Sequence, residues 1–102
     1  MKNVFNFKTK VIIYGFDGKA GAWHFATVPE NIADEINFFF ADQKRGWGSL
    51  PVEVTIGEST WNTSIFPDKR TKSFMLPLKA SVRKQEQIDA GDSIEVELKI
   101  RA

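Results

Sequence analysis

Ile94, Val96, Leu98 and Ile100 alternate without a break with Glu95, Glu97, Lys99 and Arg101. A strand satisfies this pattern, because successive side chains point to opposite faces and one face can rest on a core; a helix would scatter the same residues around its axis. The pattern recurs at residues 50–56, where Val52, Val54 and Ile56 oppose Glu53 and Thr55. It recurs again at residues 2–13, where Phe5, Phe7, Val11 and Ile13 oppose Asn6, Lys8 and Lys10. A core built largely from half-buried strands is therefore expected.

The remaining segments fit around these three. Asp17, Gly18 and Gly21 supply turn chemistry before a second strand at 22–28, in which Trp23 and Phe25 share a face. Residues 29–44 read as the main helix, with Pro29 at its first position, Lys44 and Arg45 at its negative end, and Ile32, Ala33, Ile36 and Phe39 or Phe40 as its buried stripe. The run Phe38-Phe39-Phe40 covers more than half the helix circumference, which leaves one ring for solvent or for a barrel end. Gly57-Glu58 reads as a two-residue hairpin turn joining 50–56 to a strand at 59–66, followed by a tight loop at 67–70. In the next strand, 74–78, Pro77 has no N–H to give a ladder, so an edge position or a bulge is expected. Residues 80–88 read as a short helix with Ser81 as N-cap and Val82 facing inward. About six strands against one main and one short helix predict an all-β fold, a compact barrel forming a single domain over residues 1–102.

Several chemistries lack their residues. There is no cysteine, so disulfides, thiolate metal sites and cysteine nucleophiles are excluded. His24 is the only histidine and has no acids at ligand spacing beside it, so neither metal nor other cofactor is expected. Ser64, Ser73 and Ser81 do not stand in a Gly-x-Ser-x-Gly elbow, and no acid–base constellation marks an enzyme. No apolar run reaches bilayer-crossing length and the N-terminus lacks the apolar stretch of a signal peptide, so the expectation is a cytoplasmic protein without a membrane partner.

A longer pattern joins these segments. Val52-Glu53-Val54-Thr55-Ile56-Gly57 is followed by Trp61-x-Thr63-Ser64-Ile65-Phe66-Pro67-Asp68-Lys69 and then by Phe74-Met75-Leu76-Pro77-Leu78-Lys79-Ala80-x-Val82-Arg83-Lys84. Ile88-x-x-Gly91-Asp92-x-Ile94-x-Val96-x-Leu98 closes it, and Trp23-His24-Phe25 with Val28-Pro29 precedes it. Over nearly its whole length the chain resembles the family called domain of unknown function number nineteen hundred and five, small proteins of bacteria and archaea. The resemblance implies a double-split β-barrel, similar in class to the barrels of swapped-hairpin transition-state regulators and antitoxins that bind DNA. It implies no activity, and kinship of fold does not supply one.

Charge marks where to look. Residues 61–84 hold six basic side chains, Lys69, Arg70, Lys72, Lys79, Arg83 and Lys84, against the single acid Asp68, in a chain whose net charge is +1. If the chain folds back so that Lys69 and Arg70 lie at the same barrel end as Lys79, the cations converge beside Trp61 and Trp47, and the amides at the start of the short helix add donors. The site expected is then Trp61 as a wall, Ser64 as a hydrogen-bond donor, and Lys69, Lys79, Arg83 and Lys84 as charges, with Asp68 in the adjoining loop. It suits a non-enzymatic binding module for an anionic small molecule or an acidic segment. Nucleic acid, bound by the same surface as a dimer, is the alternative partner, and an enzyme is the third reading. Monomer and homodimer stay open. Against all of these stands a solvated face, with Lys79, Arg83 and Lys84 paired to Asp68, Glu86 or Asp89 and Asp68 bonding its own loop backbone.

Overall fold

The structure is a computed structural model that describes residues 2–14 and 23–102. The turn expected at 17–21 and the first residue of the expected second strand, Ala22, lie outside that range. Among the described residues there are six strands: β1 (Val4–Tyr14), β2 (Trp23–Thr27), β3 (Leu50–Ile56), β4 (Ser59–Asp68), β5 (Ser73–Pro77) and β6 (Ser93–Ile100). Two α-helices join them, α1 (Glu30–Phe40) and α2 (Ala80–Glu86). All pairings are antiparallel, and the strands close in the order β1-β2-β5-β4-β3-β6. The barrel expected from the alternating segments is thus the one observed.

Two strands each serve two neighbours along their length, and this creates the splits. β1 pairs with β6 from Val4 to Lys10 and with β2 from Val11 to Tyr14. β4 pairs with β3 from Ser59 to Ile65, and with β5 only from Phe66 to Asp68. Ile13, expected inward, is half exposed, because it lies past the point where β1 leaves β6.

Inside, the alternation holds. Val52, Val54 and Ile56 of β3, Ile94, Val96, Leu98 and Ile100 of β6, and Phe74, Leu76 and Leu78 from β5 onward are buried in one apolar cluster. Burial of each such side chain contributes about 1.5–3 kcal/mol relative to exposure. The turn at Gly57-Glu58 joins the paired residues Ile56 and Ser59, and only Gly57 of its two residues has a positive φ, +59°. That is the two-residue hairpin geometry with glycine first. A side chain at Gly57 would also run into the Glu86 carboxylate, which accepts a 2.7 Å bond from Ser59 Oγ and ties α2 to the hairpin.

The helices differ from expectation at their ends. Pro29 caps α1 instead of entering it, with ψ 145° and its carbonyl accepting the Ala33 amide at 2.9 Å. The α-helix stops at Phe40 and a 3-10 turn covers 41–43, so Lys44 and Arg45 do not sit in its last turn; Lys44 Nζ instead lies 5.4 Å over the Phe74 ring. Of the three phenylalanines, Phe40 is buried, Phe39 packs partly against the core, and Phe38 is the exposed one. In α2 the cap is Lys79 and not Ser81, because the chain stays extended through Lys79, whose carbonyl takes the amides of Val82 and Arg83 at 3.1 Å. Ser81 lies one residue inside the helix, where its hydroxyl caps nothing. The helix ends on Gln87 in the left-handed region, with Ile88 N–H bonded back to the Arg83 carbonyl at 2.8 Å.

Candidate functional site: a split in the barrel wall

Pro77 decides where the wall opens. In a strand the N–H and C=O of one residue point to the same neighbour, and consecutive residues alternate. The Leu78 amide donates to the His24 carbonyl at 3.0 Å and the Val28 amide to the Phe74 carbonyl at 2.9 Å, so Phe74, Leu76 and Leu78 face β2. Ser73, Met75 and Pro77 therefore face β4. Pairing of β4 with β5 runs through Asp68–Ser73 and Phe66–Met75, and the next rung in that register would join Ser64 to Pro77. Pro77 has no N–H for it, and the ladder ends. The expectation of an edge strand or a bulge is corrected accordingly: β5 lies between β2 and β4 and pairs residue for residue with each, and the proline makes only its last residue a local edge.

Beyond that rung β4 turns away with β3 and leaves a cleft of about 370 Å³. Its floor and walls come from both sides of the barrel wall, as a gap between strands requires. Trp61, Thr63 and Leu78 belong to the inner side, and Asn62, Pro77 and its cross-strand partner Phe25 to the outer. Trp23, 61 % exposed and 6.3 Å from the Phe25 ring, stands at the mouth, whereas Trp61 is only 9 % exposed. Lys79 and Arg83 supply the charge. Arg83 Nε donates to the Leu78 carbonyl at 3.1 Å, which fixes the guanidinium at the rim and leaves its two Nη groups. Neither cation has a carboxylate oxygen within 4.0 Å among the described residues, so the pairings to Asp68, Glu86 or Asp89 set out as the solvated alternative are not formed.

The expected residues divide. Trp61, Lys79 and Arg83 come together; Ser64, Asp68, Lys69 and Lys84 do not line the cleft. Lys69, Arg70 and Lys72 occupy the loop before β5, whereas Lys79 follows its end. Five strand residues at about 3.3 Å each separate the two groups, so they lie at opposite ends of β5. The convergence of Lys69 and Arg70 with Lys79 is thereby corrected. Lys84 is exposed on α2, and Ser64 is half-buried on the outer side of β4. Trp47, expected beside Trp61, is 94 % exposed in a 3-10 turn at 46–48 that packs near Pro67.

Asp68 is buried, 6 % exposed, and its Oδ1 accepts the Arg70 amide at 3.1 Å and Arg70 Nε at 3.5 Å. It holds its own loop at the far end of β5 from the cleft. Asp68→Ala is expected to lower stability by about 1–2 kcal/mol in chemical denaturation, as loss of a turn-closing side-chain bond does, and to leave cleft binding unchanged.

His24, Trp23, Asn62, Thr63 and Pro77 line the cleft without having been singled out by charge. Pro77 alone carried a readable signal, as the strand proline that breaks a ladder. A larger hollow of about 580 Å³ lies between β1, β6 and the β3–β4 turn. Its charges are Lys8, Glu95 and Glu97, and Lys8 stands directly opposite Glu95 in the β1–β6 register, an ordinary cross-strand pairing of opposite charge. Among the described residues no group of three or more His, Asp or Glu side chains could hold a metal ion, and no helix is long and apolar enough to cross a membrane.

The sequence that folds this way matches a known sequence family. A family model described as a domain of unknown function, DUF1905, matches residues 7–98. The chain belongs to the DUF1905 family. No curated protein matches it. For this DUF1905 domain the match spans β6 through Leu98, both helices and all the residues that line the cleft, so the split falls wholly inside the family's span.

Proposed function

We propose that this DUF1905 domain is a non-enzymatic binding module that takes an anionic ligand in the split between β4 and β5. One observation carries the reading: Lys79 and Arg83, both without a carboxylate partner among the described residues, meet at the rim of a cleft floored by Trp61 and Leu78. Cations on an apolar hollow are worth more to an anion than cations on open surface, because the walls displace water and lower the local dielectric. The bond from Arg83 Nε to the Leu78 carbonyl also restricts the guanidinium before anything binds, which reduces the ordering cost of association. A nucleic-acid surface gains less support, since half of the six cations sit in the loop before β5 and so cannot line one face with Lys79 and Arg83.

A thermal-shift and titration panel of sulfate, phosphate, nucleotides and an acidic peptide, at near-physiological salt, tests the reading. At least one of these anions is expected to stabilise the protein. Arg83→Ala should then weaken binding by about ten- to a hundredfold, the worth of a hydrogen bond to a charged group, and lower the stability of the free protein by about 1 kcal/mol through loss of the bond to the Leu78 carbonyl. No stabilisation by any member of the panel would remove the proposal.

A further inference from the structure

Resting on that reading, we infer that the ligand of the split is an extended acidic peptide segment of another chain, bound by adding a strand to the free edge of β4. The backbone carries the argument. The two-residue turn makes Ile56–Ser59 a hydrogen-bonded pair, so Ser59, Trp61, Thr63 and Ile65 direct their N–H and C=O groups to β3. Asn62 and Ser64 direct theirs the other way, toward β5, whose ladder has already ended at Met75; Asn62 lines the cleft, and Ser64 stands at its closed end opposite Pro77. Two residues of β4, one repeat apart, thus present donors and acceptors in the spacing of a strand edge. The residue that would have answered Ser64 is Pro77, which cannot donate.

The side chains around this edge select what is added to it. Side chains of an inserted strand alternate between faces, one set toward the barrel interior and the other toward solvent. The inward set would meet Trp61 and Leu78, both buried and apolar. The outward set would pass Lys79 and Arg83 at the rim. The sequence that fits alternates apolar and acidic residues over three to five positions. Charge also opposes pairing of two β4 edges across a dimer, because it brings two sets of Lys79 and Arg83 together. A free phosphate would engage the rim and leave the backbone edge unused.

The test uses the whole protein and blocked pentapeptides. Acetyl-Val-Glu-Val-Glu-Val-amide is the parent; one copy is N-methylated at its valines and another at its glutamates, which preserves charge and removes alternate backbone donors. Inorganic phosphate is the fourth probe. The parent is expected to bind, to shift the amide resonances of Asn62 and Ser64 and to slow their hydrogen exchange, and at least one methylated copy should bind about tenfold more weakly through its lost backbone hydrogen bonds. Equal binding by the parent and both methylated copies, or exchange at Asn62 and Ser64 unchanged by the parent, overturns strand addition. Binding of phosphate with none by the parent overturns the peptide while the anion site stands; binding by none of the four overturns both.

Discussion

Phe74→Ala is expected to lower the unfolding free energy by about 3–5 kcal/mol, the range for truncating a fully buried phenylalanine in a core that collapses only partly around the void. Phe74 is buried near the start of the short β5, its carbonyl accepts the Val28 amide, and its ring carries Lys44 Nζ at 5.4 Å. Removing the ring therefore costs apolar burial, a cation–π contact of about 0.5–1 kcal/mol, and packing under α1, which touches β5. Since domains of this size are stable by about 5–15 kcal/mol, this one change removes a large share. Urea denaturation should show the midpoint falling with the slope unchanged. Phe38→Ala is the control from the same aromatic class, and with its ring 82 % exposed it should move stability by no more than about 0.5 kcal/mol. A loss below about 1 kcal/mol for Phe74→Ala would mean that β5 is not packed as described.

The contrast between those two phenylalanines shows what a sequence can and cannot disclose. Phe74 is readable because it alternates with Met75 and Pro77, and period two assigns each strand residue a face without knowledge of its neighbours. Phe38 is readable only as one of three adjacent rings, since helix geometry fixes that they diverge and leaves the exposed one to the packing of α1. Caps are similarly local but decided by the approaching chain: Ser81 has the chemistry of an N-cap, yet the extended run through Leu78 and Lys79 delivers Lys79 to that place.

The candidate site was half legible for a related reason. Trp61, Lys79 and Arg83 could be named from composition and charge, but which of six cations meet depends on strand direction. Lys69 and Lys79 are ten positions apart with β5 between them, and a strand keeps its ends apart where a turn would have joined them. Trp23 and Asn62 reach the cleft only through the order β2-β5-β4, a relation between segments far apart in the sequence. Pro77 was the exception, a single residue whose missing donor foretold a broken ladder, though not that the break would open onto Trp61.

That residue supplies the sharpest separation of function from stability. Pro77→Val restores an N–H aimed at the Ser64 carbonyl and allows the rung after Phe66–Met75 to form. The new hydrogen bond contributes about 1 kcal/mol, and loss of the proline's restraint on the unfolded chain costs about 0.4–1 kcal/mol, so the net stability should barely move. The cleft should not survive equally well. Zipping β5 onto Ser64 draws the two strands toward the ordinary spacing of about 4.8 Å and removes the gap that admits a ligand. The expected result is a valine amide at position 77 protected from hydrogen exchange, an unchanged denaturation midpoint, and binding of any ligand that stabilises the native protein reduced below detection. If position 77 gains protection and binding persists, the split is not the binding site; if it gains none, the divergence of β4 from β5 is held by the β3 pairing and not by the proline.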